Sequence, residues 1–257
     1  MSDKNIKSTD VKHIYDKNYF LQGVTGHQEF INFKGEYGNL IDKYKEIVDI
    51  AQLSEKDSLL DIGCGRGEIV LYHAKNKGNS TGVDFADDAI QMAKDKAVEL
   101  NIPCKFVCSS FQNIDEQQSF DKIMSLDFIE HLSQLEGEAF FRKCYSILNK
   151  KGKIFIYTGP NTLRRKYGYP IIRFLLKLSG RNLPKKEADT ISEHYKLYHL
   201  NEQNVFTLKA MAEKAGFRNC SVHYSSHENH LTSRKKLLLN TFFKHLFLVG
   251  LILVAEK

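Results

Sequence analysis

A chain of 257 residues, 42% of them hydrophobic, carries enough apolar material for a full-sized core and suits one doubly wound domain with added segments. Its formal net charge of +6, from 37 Lys and Arg against 31 Asp and Glu, permits an anionic substrate or surface without demanding one. Five cysteines (Cys64, Cys104, Cys108, Cys144, Cys220) are odd in number and lack metal-ligand spacing, which argues against a disulfide framework or a metal site and fits a reducing, cytoplasmic compartment.

The polar start, MSDKNIKSTDVK, has no apolar stretch of the signal-peptide kind. Residues 1–38 hold KHIYDKNYFLQGVTGHQEF, aromatic, glycine-containing and too irregular for a core helix. Leu40, Ile41, Tyr44, Ile47, Val48 and Ala51 then repeat at helical spacing and predict a helix before a first strand at Ser58–Ile62. Helical spacing returns in Ala89–Leu100, in Leu135–Leu148 and in Val205–Ala215, where Gly216 is a C-terminal stop. Short β-rich runs lie between them at Thr81–Asp84, Lys105–Cys108, Lys122–Leu126 and Lys153–Thr158. That alternation predicts an α/β fold with a parallel sheet wound by helices. The last two runs, near Asn219–Tyr224 and Phe247–Val254, have no strong helix after them, as an antiparallel strand at the end of the sheet would. The longest apolar run, Leu246–Ala255, is about half the length that spans a bilayer, so no stable membrane insertion is expected.

The stretch LLDIGCGRG at 59–67 is the most informative in the chain: an apolar strand empties into three glycines at alternate positions, and an acidic residue, Asp84, closes the next strand. Glycine lets main-chain N–H groups approach a ligand closely, and an acidic residue at the second position suits a ribose diol. A nicotinamide fingerprint needs its third glycine one place later, where Glu68 stands, and a pyrophosphate sits poorly beside that carboxylate. A nucleoside without phosphate fits better, and S-adenosylmethionine meets the description.

With its companions VDFADDAIQMAK (83–94), SFDKIMSLDFIEHL (119–132) and FFRKCYSILNKKGKIFIYTGPN (140–161), this motif resembles the class I S-adenosylmethionine-dependent methyltransferases from about Tyr37 to the C-terminus. The resemblance implies a Rossmann-like, doubly wound, seven-stranded sheet, mostly parallel with the last strand antiparallel. Within it, residues 39–161 form the cofactor-binding core and 204–257 the C-terminal part of the sheet, while 1–38 and 162–203 fall where substrate lids sit. The N-terminal segment and HLNEQNVFTLKAMAEKAGF at 199–217 look like those of bacterial methyltransferases of surface-polysaccharide or secondary-metabolite pathways.

On this reading Asp61, Gly63, Cys64, Gly65 and Gly67 form the cofactor loop, with Asp61 orienting the turn through main-chain hydrogen bonds. Asp84 takes the ribose hydroxyls and Phe85 lies against adenine; alternatively Asp84 or Asp87 caps the next helix. Ser109 and Ser110 stand where the family commonly has an acidic residue, leaving Ser110 and Phe111 to meet the adenine. Leu126, Asp127, Glu130 and His131 follow the fourth strand toward the methyl-bearing half of the cofactor. His131 is read either as a general base with Glu130 as orienting partner, or as a packing and cofactor contact; His194 is the other candidate base. Tyr15, His27, Asn161, Tyr195, Tyr198 and His199 are candidate acceptor ligands, and Tyr19 a cofactor cover. The cationic stretch GYPIIRFLLKLSGR is expected to bury its apolar face on the domain, the rival being contact with lipid. The leading expectation is O-methylation of a small or sugar-containing metabolite. A nucleic-acid methyltransferase is the second reading, disfavoured because TGPN lacks the Asn/Asp-Pro-Pro-aromatic clamp, and a non-catalytic cofactor-binding protein the third. Nothing in the chain indicates an oligomeric state.

Overall fold

The computed structural model describes residues 15–23, 25–187, 199–225 and 244–257. His194, Tyr195 and Tyr198 lie outside them. The elements run α1 (His27–Ile31), α2 (Asp42–Ala51), β1 (Ser58–Ile62), α3 (Glu68–Lys75), β2 (Asn79–Asp84), α4 (Asp87–Glu99), β3 (Lys105–Cys108), β4 (Phe120–Leu126), α5 (Gln134–Ile147), β5 (Leu148–Thr158), α6 (Tyr169–Leu178), α7 (Val205–Lys214), β6 (Arg218–Tyr224), α8 (Lys244–Phe247) and β7 (Leu251–Glu256).

Seven strands form one sheet in the order β3-β2-β1-β4-β5-β7-β6. The pairs from β3 to β5 are parallel, and β7 is antiparallel to both β5 and β6. The last strand in the chain is therefore the antiparallel one, lying one place in from the edge that β6 occupies. Strand order reverses between β1 and β4, which opens a crevice at their carboxyl ends.

Because successive strand residues point to opposite faces, a sheet covered on both sides needs apolar residues throughout its central strands. Leu60, Ile62, Ile123 and Ile154 face one layer, where Phe140, Phe141, Cys144 and Ile147 of α5 and Leu208 and Ala212 of α7 meet them. Their neighbours Leu59, Met124 and Phe155 face the other, against Ile47 and Ala51 of α2 and Ile69 of α3. That second layer continues through Val70, Leu71, Ile90 and Ala93 to Phe106.

Local chemistry ends the helices. Ser133 accepts from the Glu136 N–H at 3.3 Å while Glu136 accepts from the Ser133 N–H at 2.8 Å, a reciprocal cap for α5. Asn204 accepts the Phe206 and Thr207 N–H groups at the start of α7, and Gly216, at φ +107°, follows its end. Asp87 is not the cap of α4: it lies inside the first turn, Ala86 holds the cap position, and no side chain caps it.

Two expectations about the lid region need correction. The final strand begins at Leu251 rather than Phe247, because Lys244–Phe247 makes a helical turn. That turn and its exit are gripped by Asn161, whose Nδ2 donates to the His245 carbonyl at 2.8 Å and the Leu248 carbonyl at 3.1 Å. Helix α6 does not bury its apolar face: Ile171 is 41% exposed, Phe174 62%, Leu175 57% and Leu178 72%. It is held instead at its root and flank, by Gly168 against the Leu246 carbonyl, by Tyr169 Oη donating to the Pro184 carbonyl at 3.0 Å, and by Arg173 Nε donating to the Leu183 carbonyl at 3.1 Å. The Thr162 N–H donates to the Gln203 carbonyl at 2.9 Å, joining the two ends of the 162–203 segment.

Ser133→Ala removes one half of the α5 cap and leaves the crevice untouched. Its unfolding free energy, read from a urea midpoint, should fall by about 1 kcal/mol.

Candidate active site

The chain leaves β1 into a turn built on β2. The Gly63 and Cys64 N–H groups both donate to the Val83 carbonyl, at 2.8 and 3.2 Å. Asp84 then holds the loop with both carboxylate oxygens: Oδ2 accepts the Gly65 N–H at 2.9 Å and Oδ1 the Ala86 N–H at 2.9 Å. Orientation of the turn thus falls to Asp84 and not to Asp61. The glycines have different reasons. At Gly63 (φ +74°) a Cβ would lie 2.4 Å from the Phe128 ring, so packing forbids a side chain. At Gly65 (φ +51°) the nearest atom is a Phe20 ring carbon at 3.7 Å, so the space before this N–H is open. Gly67 is closed off by Phe106, 2.5 Å from a Cβ at that position. Cys64 packs into the core beneath the loop, and burial pushes its thiol well above its ordinary range.

Asp61 is 4% exposed and lines the polar half of the crevice with Tyr44, Gly63, Glu68 and Leu126. Among the described residues its carboxylate has no hydrogen bond and no cation beside it. Burial first, then the charges of Asp84 and Glu68, push its pKa up to about 8. Glu68 is matched by Arg66, 2.8 Å away and 2% exposed. The same guanidinium donates to the Phe20 and Thr25 carbonyls, each at 3.0 Å, and lies 4.9 Å from the centre of the Phe30 ring. One buried arginine inside the glycine loop therefore ties the N-terminal segment over the crevice. His27, in the one-turn helix α1, is half-buried with its Nδ1 enclosed and without a hydrogen-bond partner.

The apolar half of the crevice, about 320 Å³ with its open mouth, is lined by Ile62, Gly63, Val83, Asp84, Phe85, Ser109, Ser110, Phe111 and Phe128. The Ser109 N–H donates to the Asp84 carbonyl at 2.8 Å, and the Ser110 hydroxyl is paired with Gln112. Phe111 meets Phe128 edge to face with centroids 6.1 Å apart. Tyr15 meets Phe85 in the same manner at 5.2 Å, and Tyr19 packs on Tyr15 at 5.0 Å.

Beyond β4 the chain turns through Asp127 in the left-handed region, φ +51°, uncommon for a side chain other than glycine. The Asp127 carboxylate is ion-paired with Lys43 of α2, whose ammonium lies 5.2 Å from the centre of the Tyr157 ring. Glu130 is 2% exposed and accepts from Thr158 Oγ1 at 2.8 Å; burial, then the charge of Asp127, push its carboxyl up to about 8. His131 Nδ1 lies 3.2 Å from the Tyr15 hydroxyl, and its ring stands 4.9 Å from that of His199. His199 in turn has Nδ1 3.3 Å from Glu202, and the Glu130 carbonyl accepts the Leu200 N–H at 2.8 Å and the Asn201 N–H at 3.1 Å, so the returning lid strand is pinned beside the turn. Ligand atoms of Glu130, His131 and His199 lie within 4.8 Å of one another.

Tyr19 and Phe85, read from the sequence as cofactor contacts, His131, read as base or cofactor contact, and Tyr15 and His199, read as acceptor ligands, form one chain of ring contacts from Phe85 and Tyr19 through Tyr15 to His131 and His199. Asn161 is a correction: it is wholly buried, and its Oδ1 also accepts the Leu163 N–H at 3.1 Å, so its amide is consumed in holding the lid root. Arg66, Lys43, Thr158 and Phe128 were missed. Each acts through a partner far away in the sequence, and no spacing within the chain signals it.

Residues 59–152 match the family model of a methyltransferase domain. A sphingolipid C9-methyltransferase of Gibberella zeae is 30% identical over 158 residues, 60% of this chain and 30% of that protein. A ubiquinone biosynthesis O-methyltransferase of Idiomarina loihiensis is 31% identical over 102 residues, 39% of this chain and 41% of that protein. The chain thus spans well under half the length of these curated relatives. Among solved structures, a SAM-dependent methyltransferase from Archaeoglobus fulgidus superposes with a TM-score of 0.58 at 19% identity, covering 84% of this chain and 93% of that one. The fold is that of the class I S-adenosylmethionine-dependent methyltransferases. Residues 59–152 are similar to a methyltransferase domain of that kind.

The crevice fits the cofactor of that class. Asp61 is a buried carboxylate without a cation, suited to an ammonium or sulfonium. Asp84 accepts a main-chain N–H on each carboxylate oxygen at the crevice wall, and a carboxylate is the acceptor that suits a diol. Phe85, Phe111 and Phe128 give a heterocycle apolar walls.

Asp61 yields a prediction with a definite sign. Its folded pKa of about 8 exceeds the unfolded value of about 3.9, so between these the native chain holds a proton that the unfolded chain has lost. The stability this confers is complete below the lower value and is lost as pH rises through the upper one. Asp61→Asn should therefore stabilise the ligand-free chain above pH 8, on the order of 2 kcal/mol. Thermal melts across pH measure that gain, and calorimetry with S-adenosylhomocysteine should show at least about a tenfold loss of affinity, as expected for a charged hydrogen bond. Gly65→Val should abolish nucleoside binding, because the side chain enters open crevice, and should also lower the melting temperature, because a β-branched residue is strained at φ +51°. Gly63→Val should cost stability first, read as a lower melting temperature.

Proposed function

We propose that this chain transfers a methyl group from S-adenosylmethionine to a hydroxyl oxygen of a small, or sugar-containing, acceptor. The observation that carries this reading is His131, paired with Tyr15, beside His199 and next to the crevice mouth. The cofactor, when bound, supplies an electrophilic methyl group. In the proposed assignment Asp61 holds its ammonium and Asp84 its ribose; Phe85, Ser109, Ser110 and Phe111 surround its base; and Leu126, Asp127 and Tyr19 line its remaining sides. Gly65 admits it, while Gly63 and Gly67 let the loop pack against Phe128 and Phe106.

His131 is the general base. With Nδ1 engaged by Tyr15, Nε2 receives the acceptor's hydroxyl proton. Glu130, held by Thr158, fixes the main chain of the 129–132 turn through its carbonyl as well as its carboxyl. Alignment supplies about 7–11 kcal/mol to such a displacement, more than a base's hundred- to ten-thousand-fold, so the N-terminal segment and the 162–203 lid matter most. Residues 39–161 and 204–257 then form the cofactor core, with Tyr15, His27 and His199 facing the acceptor. None of the five cysteines is joined in a disulfide, which supports a reducing, cytoplasmic location. The names of the relatives, a sphingolipid and a ubiquinone-pathway enzyme, support a small-molecule acceptor over nucleic acid.

His131→Ala tests the base. Turnover of a phenol or sugar hydroxyl at saturating cofactor should fall about a hundredfold or more, with S-adenosylhomocysteine affinity kept and partial recovery at higher pH. Loss of affinity with turnover intact would remove His131 as base. Binding of tRNA or duplex DNA that falls steeply with salt, with methyl transfer to it, would replace the acceptor class.

A further inference from the structure

Helix α6 carries a surface that the methyl-transfer site does not use. Ile171, Phe174, Leu175 and Leu178 are its exposed apolar residues, and on a wheel of 100° per residue they fall within an arc of about 100°. Isolated exposed leucines are ordinary, but four large apolar side chains on one stripe are a docking surface. Polar groups frame the stripe with one sign of charge. From Thr162 to Lys186 there is no acidic residue, while Lys166, Arg173, Lys177, Arg181, Lys185 and Lys186 are all basic. Arg164 and Arg165 are already taken by Glu187 and Glu202 and are not counted here.

We infer that α6 is an interfacial helix that seats this face of the protein on an anionic lipid surface. A groove on a protein partner could accept the apolar stripe, but the uniform positive rim selects a surface that is apolar inside and negative at its boundary. Ten residues make about 15 Å of helix, enough to lie in the headgroup region and far too short to cross. No helix among the described residues is long and apolar enough to span a membrane, so the attachment is peripheral. The lid that carries α6 returns through Leu200 and Asn201 to the Glu130 carbonyl, so the helix and the proposed acceptor side belong to one segment. The inference for the acceptor rests on the proposed methyl transfer: an acceptor with an apolar anchor, resident in the bilayer, would present its hydroxyl at the side of the crevice that α6 brings to the surface. Docking itself does not depend on that reading.

Flotation of the full chain with vesicles tests it. Vesicles of equal parts phosphatidylcholine and phosphatidylglycerol should carry the protein up the gradient, phosphatidylcholine alone should carry little, and added salt should weaken the first. Phe174→Glu with Leu178→Glu should lower the bound fraction about tenfold or more, and Lys177→Glu, which keeps the apolar stripe, should lower it several-fold on the mixed vesicles alone. S-adenosylhomocysteine affinity should be unchanged in all of them. Absence of flotation, or flotation that the paired glutamates leave intact, would overturn the inference. So would a self-associated species in sedimentation that Phe174→Glu disperses, which would make the face a contact between copies. A steep drop in melting temperature for Phe174→Glu would likewise overturn it, by showing the stripe to be packed within the chain. Failure of S-adenosylhomocysteine binding with flotation intact would sink the methyltransferase reading and leave this one standing.

Discussion

The crevice depends on the carboxylate of Asp84. One of its oxygens fixes the Gly65 N–H and the other the Ala86 N–H, so a single side chain at the end of β2 sets both the glycine loop after β1 and the entry to α4. Each bond is charge-assisted, the first partly and the second wholly buried, and so is stronger than one between neutral groups. Parallel pairing of β1 with β2, in the register Ile62 with Val83, brings the two strand ends level and makes that bridge possible. Arg66 adds the third side by holding the main chain of the N-terminal segment at Phe20 and Thr25 while neutralising Glu68.

Around this framework the protein stores unfavourable electrostatics. Asp61 and Glu130 are both buried, and both have carboxyl groups pushed up to about 8, one on each side of the crevice. A buried carboxylate without a cation beside it costs free energy that a hydrophobic or amide residue would not, and such groups are retained where a ligand or a reaction uses them. The two differ in what supports them. Glu130 has the Thr158 hydroxyl and the distant field of Lys43, whereas Asp61 faces two further carboxylates and gains a partner only when a cation enters. That asymmetry fits the roles proposed for them, Glu130 as a positioning group and Asp61 as a cofactor contact.

Much of this was legible in the chain. Periodicity located β1 and β3 to the residue, and it placed the helices at 87–99, 134–147 and 205–214 within two residues of their observed ends. Those elements are read correctly because local spacing and burial agree: a strand buried on both faces is a short apolar run, and a helix covering one face repeats at 3.6. The glycine motif and Asp84 were legible for the same reason, since a tight turn leaves a local mark. Boundaries failed where a distant residue decided them, as at Phe247, which is drawn into a helical turn by Asn161. The apolar face of α6 was read as buried because amphipathic spacing reports a stripe but not what covers it.

The sequence by itself determined the order of elements, the parallel sheet and the glycine-rich loop after β1, all consequences of steric and hydrophobic patterns a few residues long. Tertiary structure alone decided which acidic residue braces the loop, which buried arginine ties the N-terminal segment down, and which aromatic and histidine rings meet at the mouth. Tyr15 and His131 are 116 positions apart and Arg66 and Phe20 are 46 apart. Contacts at such separations come from strand order and packing, and the charge on Asp61 depends on burial among Glu68 and Asp84 that no local pattern records.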